Sequence, residues 1–176
     1  MRNIELKARL QNRDKALEAC KTLNAAYQGD IHQVDTYFHV PQGRLKLREA
    51  DPGRDELVFY RRPDVAGPKG CDYILEPVNR SIKAFLTEAL GVLAVVDKVR
   101  TLYLWENVRI HLDVVKDLGE FIEFEAVLSS EYDDQDGCSK LQRLIQHFDL
   151  HDEDQMKGSY LEMILAYNET MNKQAP

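Results

Sequence analysis

The chain has 176 residues, 44% of them hydrophobic and 30% charged, with a formal net charge of −7. That length suits one domain spanning 1–176 with a sizeable core, and the acidic balance argues against nucleic-acid binding. Three cysteines without a CxxC pair exclude a disulfide framework or zinc knuckle, and no apolar run suits a signal core or a membrane span, so a soluble cytoplasmic protein is expected.

In chain order, RNIELKARL (2–10) alternates Asn3, Glu5, Lys7 and Arg9 against Ile4, Leu6, Ala8 and Leu10, the period of a strand. DKALEACKTLNAAYQG (14–29) spaces Leu17, Cys20, Leu23 and Tyr27 at helical intervals, with Gly29 as the stop. HQVDTYFHV (32–40), GRLKLREA (43–50), DELVFYRRP (55–63) and CDYILEPV (71–78) read as strands, with a turn at Pro52 and Gly53. RSIKAFLTEALG (80–91) predicts a helix with Ile82, Phe85, Leu86 and Ala89 on one stripe and Gly91 beyond its end. Strands resume in VVDKVRTLYLWEN (95–107), VRIHLDVV (108–115) and GEFIEFEAVL (119–128). Two helices close the order, SKLQRLIQHF (139–148) and SYLEMILAY (159–167), with Ser159 and Glu162 at N-cap spacing. The acidic runs EYDDQDG and HDEDQ read as solvated turns. Mostly antiparallel strands with a few helices define an α+β class.

Strand alternation gathers charge on shared faces. Arg44, Lys46 and Arg48 share one, as do Lys98 and Arg100, as do Arg109, His111 and Asp113, and as do Glu123 and Glu125. Two arrangements satisfy this pattern. An open sheet turns its charged face to water, the commoner solution for antiparallel sheets. A closed barrel turns it inward, which is costly unless an anion and a metal neutralise it. Many Lys and Arg with a few carboxylates suit a polyphosphate bound with divalent cations.

Six stretches in this order, IELKAR, LKLRE, LVFYRRP, DKVRTLY, RIHLD and LGEFIEFE, resemble the CYTH superfamily of triphosphate tunnel enzymes over nearly the whole chain. HQVDTYF and YRRPDVAGPKGCDY are most similar to its class IV adenylyl cyclase-like branch. The resemblance implies a closed antiparallel eight-stranded β-barrel, open as a tunnel, with helices packed outside and Mg²⁺ or Mn²⁺ as cofactor. The ligand it implies is ATP or another triphosphate, with homodimerisation left open. It also implies roles. The family's Glu-x-Glu-x-Lys motif is matched by Asn3-Ile4-Glu5-Leu6-Lys7, with Asn3 departing from it. Glu5, Asp113, Glu123 and Glu125 match metal ligands. Lys46, Arg48, Arg61, Lys98, Arg100 and Arg109 match triphosphate-binding positions, although Arg61 and Arg62 face opposite ways and the parity is open. Lys7, Glu5 and Arg100 are the catalytic set. The activity implied is conversion of ATP to cyclic AMP and pyrophosphate. The alternatives are an inorganic or thiamine triphosphatase and a non-catalytic polyphosphate- or nucleotide-binding module.

Overall fold

A computed structural model gives the structure of residues 1–174. Its strands are β1 (Arg2–Arg9), β2 (Ala26–Phe38), β3 (Arg44–Asp51), β4 (Glu56–Arg61), β5 (Lys69–Pro77), β6 (Val92–Trp105), β7 (Val108–Val115) and β8 (Gly119–Val127). They close in the order β1-β5-β4-β3-β2-β6-β7-β8, every neighbouring pair antiparallel. The helices are α1 (Arg13–Thr22), α2 (Ile82–Leu90), α3 (Asp134–His147) and α4 (Tyr160–Gln174). Among the described residues, no helix is long and apolar enough to cross a membrane.

The main apolar core lies outside the barrel. Ile4, Leu6 and Ala8 of β1, Ile110 and Leu112 of β7, and Ile122 and Phe124 of β8 all point outward. They pack against Ala16 and Cys20 of α1 and Leu141 and Leu144 of α3. Gly137 lets α3 come close, since a Cβ there would stand 2.9 Å from Ile4 Cγ1. A smaller cluster seats Leu86 of α2 on Phe38 and Leu47. The alternate residues of the same strands face inward and carry the charge.

The interior is blocked at one end. Tyr160, Leu161 and Ile164 of α4 pack on inward-facing Ala94, Val96, Val115 and Phe121, all buried. The tunnel is therefore closed at that end, because an apolar end of the barrel needs an apolar cover and α4 supplies it.

Several local expectations shift. Asn24 adopts φ 56° after Thr22, so α1 stops there, and Ala26 and Tyr27 instead pair with Leu104 and Tyr103 of β6. Gly29, read as a helix stop, sits at a bulge in β2 with φ 123°. Phe85 is 69% exposed, which leaves Leu86, flanked by Ile82 and Leu90, as the packed stripe of α2. EYDDQDG is not simply a solvated turn. Asp133 and Asp136 form a capping box that starts α3, and carboxylates suit the positive end of its dipole.

Candidate active site

The inward faces enclose a cavity of about 720 Å³, counting its open mouth. Its deeper wall is cationic and organised by one carboxylate. Asp35 of β2 is buried and accepts from Lys46 Nζ at 2.8 Å, Lys98 Nζ at 2.6 Å and Arg48 Nε at 3.1 Å. The register explains the convergence: Asp35 pairs directly with Arg48 on β3, and Lys46 and Lys98 stand on the flanking strands one inward position away. Burial alone would raise the Asp35 carboxyl, but the charges of Lys46, Lys98 and Arg48 hold it well below its ordinary value.

A second group surrounds Arg100. Its Nε donates to Asp113 Oδ1 at 2.7 Å, and its Nη2 donates to Asp113 Oδ2 and Glu123 Oε2, each at 2.7 Å. Tyr160 at the start of α4 donates its hydroxyl to Asp113 Oδ2 at 2.8 Å. Lys7 Nζ stands 2.8 Å from Glu123 Oε1 and 3.7 Å from the centre of the Tyr160 ring. Burial works to raise Asp113, and the Arg100 charge and hydrogen bonds overcome it, bringing it down to about 2.

The carboxylates sit on a gradient of exposure. Side-chain exposure is 43% for Arg109 and 18% for Glu125, but 10% for Glu123, 4% for Lys7 and 0% for Asp113. Arg109 and Glu125 thus mark the mouth. Tyr73 and Leu75 of β5, with Val58 of β4, form an apolar wall on the cavity. Tyr37 and Tyr60 also line the cavity, at only 3% and 8% exposure.

Divalent-cation binding fits the residues near the mouth. Atoms of His111, Glu123 and Glu125 lie within 4.8 Å of one another. Asn3 Oδ1 is buried, lines the cavity and has no hydrogen-bond partner. Burial, then the nearby charge of Glu123, push the Glu5 carboxyl above its ordinary value, although Arg62 Nη1 donates to it. Clustered carboxylates and an orphaned amide oxygen are the hard donors such an ion takes.

The barrel interior collects Glu5, Lys7, Lys46, Arg48, Lys98, Arg100, Arg109, Glu123 and Glu125 around one cavity. Two expected positions fall elsewhere. Arg61 points outward, 3.4 Å from Gln42 and over the Phe59 ring, because inward positions on β4 are even-numbered; Arg62 lines the cavity in its place. Its buried Nε and Nη2 have no hydrogen-bond partner. Asp113 is fully buried behind Arg100 with both oxygens engaged, so it orients Arg100 and has no free face for a metal. Sequence reasoning passed over Asp35 and Tyr160. Asp35 had a signal, since it shares the inward parity of Gln33 and Tyr37. Tyr160 had none, since only the packing of α4 brings it to the cavity.

One pH dependence follows from Lys46. Burial first, then the Arg48 charge, lower its ammonium to about 7 from 10.5. Between those values the unfolded chain binds more protons than the folded one, so the stability set by Lys46 rises with pH across that window. A bound polyanion adds negative charge beside that of Asp35, so Lys46 should take up a proton on binding. Affinity for tripolyphosphate should therefore fall as pH rises above about 7. Calorimetry in buffers of different ionisation enthalpy measures the uptake; none in this window would contradict a depressed Lys46.

A closed antiparallel barrel whose interior is lined by cations interleaved with carboxylates defines a class of anion-binding tunnel proteins. The chain belongs to the CYTH family: the CYTH domain matches residues 1–160, and members of this family bind triphosphates. A Methanocaldococcus jannaschii protein, provisionally named an adenylate cyclase, is 22% identical over 93% of this chain and 98% of its own length. The PH1012 protein of Pyrococcus horikoshii superposes with a TM-score of 0.76 at 23% identity, covering 91% of this chain and 98% of that one. A Hippeastrum protein, provisionally described as an adenylyl cyclase and reported to have dominant triphosphatase activity, superposes with a TM-score of 0.61. It is 16% identical, covering 89% of this chain and 91% of that one. The structural likenesses establish the shared fold.

Proposed function

We propose that this protein binds ATP with its phosphate chain pointing into the blind tunnel and converts it to cyclic AMP and pyrophosphate. The layout of the cavity carries this reading: Glu125 stands near the mouth at 18% side-chain exposure, with Tyr73 and Leu75 on the cavity wall, while Lys98, Lys7 and Arg100 lie deep at 1%, 4% and 6%. A nucleoside resting on Tyr73 and Leu75 leaves its α-phosphorus beside Glu5, Glu123 and Glu125. The β- and γ-phosphates then reach Lys46, Lys98, Lys7 and Arg100. The ribose 3′-oxygen attacks the α-phosphorus, the bond to the β-phosphate oxygen breaks, and pyrophosphate is left on the inner cations to leave by the mouth after cyclic AMP. Lys7, Lys98 and Arg100 stabilise the charge that develops on it, in a site where burial strengthens each contact. Arg62 and Arg48 fix the chain laterally, which decides which phosphorus meets the nucleophile. Glu5 is the candidate acceptor for the hydroxyl proton. Asn3, Glu123, Glu125 and His111 would hold Mg²⁺ or Mn²⁺, which would add positive charge at the phosphate and acidify the attacking hydroxyl.

A second reading, hydrolysis of a triphosphate, is favoured by the activity reported for the Hippeastrum protein. The same cations serve it, with water as the nucleophile and the terminal phosphorus as the target. Chromatography of products from ATP with Mn²⁺ separates the two. Cyclic AMP with pyrophosphate is the expected result. ADP with orthophosphate, together with orthophosphate release from inorganic tripolyphosphate, would replace cyclisation by hydrolysis. Tight binding without any product would leave a non-catalytic binding module.

A further inference from the structure

We infer that Tyr160 is the stop that sets how long a phosphate chain the site accepts, and that it selects nucleoside triphosphates over tetraphosphates. The inference rests on the triphosphate reading above and goes beyond it. Tyr160 is the first residue of α4, is 5% exposed, and presents its ring at the inner end of the cavity. Lys7 Nζ lies over that ring at 3.7 Å and Lys98 Nζ at 6.0 Å, so the last cations a phosphate chain would meet converge on it. Behind it Leu161 and Ile164 close against Val96 and Val115, and Phe121 meets its ring at a centroid distance of 5.1 Å.

The stop is braced from three directions. Its hydroxyl is bound to Asp113, which is itself held by Arg100. Ser159 accepts from Leu161 N at 3.2 Å and donates its hydroxyl to Glu162 Oε2 at 2.6 Å, capping the first turn. Glu162 in turn accepts from Arg44 Nε of β3 at 3.0 Å, which fastens the start of α4 to the barrel wall. A floor held this way does not yield to one more phosphoryl group. With the nucleoside seated at the mouth, the distance from mouth to ring fixes the number of phosphates between them. A shorter chain leaves the inner cations unpaired, and a longer one lifts the nucleoside off its wall.

The test is calorimetric binding of ADP, ATP and adenosine 5′-tetraphosphate to the full chain in EDTA, with inorganic tripolyphosphate as a reference. Wild type should prefer ATP. Tyr160→Leu shortens the stop and should move the tetraphosphate-to-ATP affinity ratio upward by at least about ten-fold, the scale on which a shape change in a fitted pocket discriminates. Tyr160→Trp lengthens it and should move preference towards ADP, so the inference stays testable if the smaller variant fails to fold. Tyr160→Phe keeps the ring and loses one of the three braces, the bond to Asp113, and should move the ratios less than Leu or Trp does. Ratios unmoved by both Leu and Trp, or moved equally by Phe, would overturn the inference while wild type still bound tripolyphosphate. Wild type that bound none of the four compounds would overturn both this inference and the triphosphate reading.

Discussion

Asp35→Asn should lower the melting temperature by about 6–20 °C, and tripolyphosphate should restore much of the loss. Among the described residues, Asp35 is the carboxylate hydrogen-bonded to Lys46, Lys98 and Arg48, in a buried setting. Removing one partner from a buried ion pair typically costs about 3–5 kcal/mol, because the remaining charge is left without compensation. For a chain of this size each kcal/mol moves the midpoint by about 2–4 °C. The amide keeps the shape, so the loss reports charge and not packing. A polyanion bound only by the folded state stabilises by mass action, and it supplies the negative charge that the substitution removes. The ligand-induced rise in midpoint should therefore be larger in Asp35→Asn than in wild type. Equal rises in the two proteins would show that Asp35 and the ligand do not share these cations.

Glu123→Gln should reduce metal-dependent turnover of ATP by more than about 100-fold, since even partners that only orient a metal's ligands are commonly worth about 10–100-fold. Glu123 also pairs with Lys7 and Arg100, and burial, which would raise its carboxyl, is overcome by Lys7 and its other partners, so it is ionised at neutral pH. The variant makes the interior more positive. Tripolyphosphate in EDTA should still raise its melting temperature, by at least as much as for wild type. Activity lost with binding kept separates a catalytic carboxylate from a general collapse of the site. Undiminished turnover would remove Glu123 from the chemistry.

The strands were legible in the sequence wherever polar and apolar residues alternate without interruption, as in β1, β7 and β8. There the period of two fixes both the element and the face of every residue. Boundaries failed where a local conformation overrode the pattern. Asn24 ended α1 through a left-handed turn that its sequence neighbours do not announce, and the acids before Cys138 served as a helix cap. Closure of the sheet was not legible from alternation, because a charged face reads the same against water as against another charged face. The exchange of Arg61 for Arg62 has a similar origin: at a strand end two basic neighbours offer either parity, and only the register with β3 and β5 decides. Tyr160 enters the cavity through tertiary packing alone, between residues distant in sequence.

The placement of the apolar core outside the barrel has a consequence for how such a protein can change. Along the mouth-side stretches of β1, β7 and β8 the residues that pack on α1 and α3 alternate with residues that face the cavity, and the two kinds project to opposite sides of a single sheet. Folding and chemistry are thus written in the odd and even letters of the same text. A substitution on the inner face alters charge, metal preference or anion size without disturbing the contacts with α1 and α3. One scaffold can in this way try many anionic ligands by single substitutions on a side of the strand that does not touch α1 or α3.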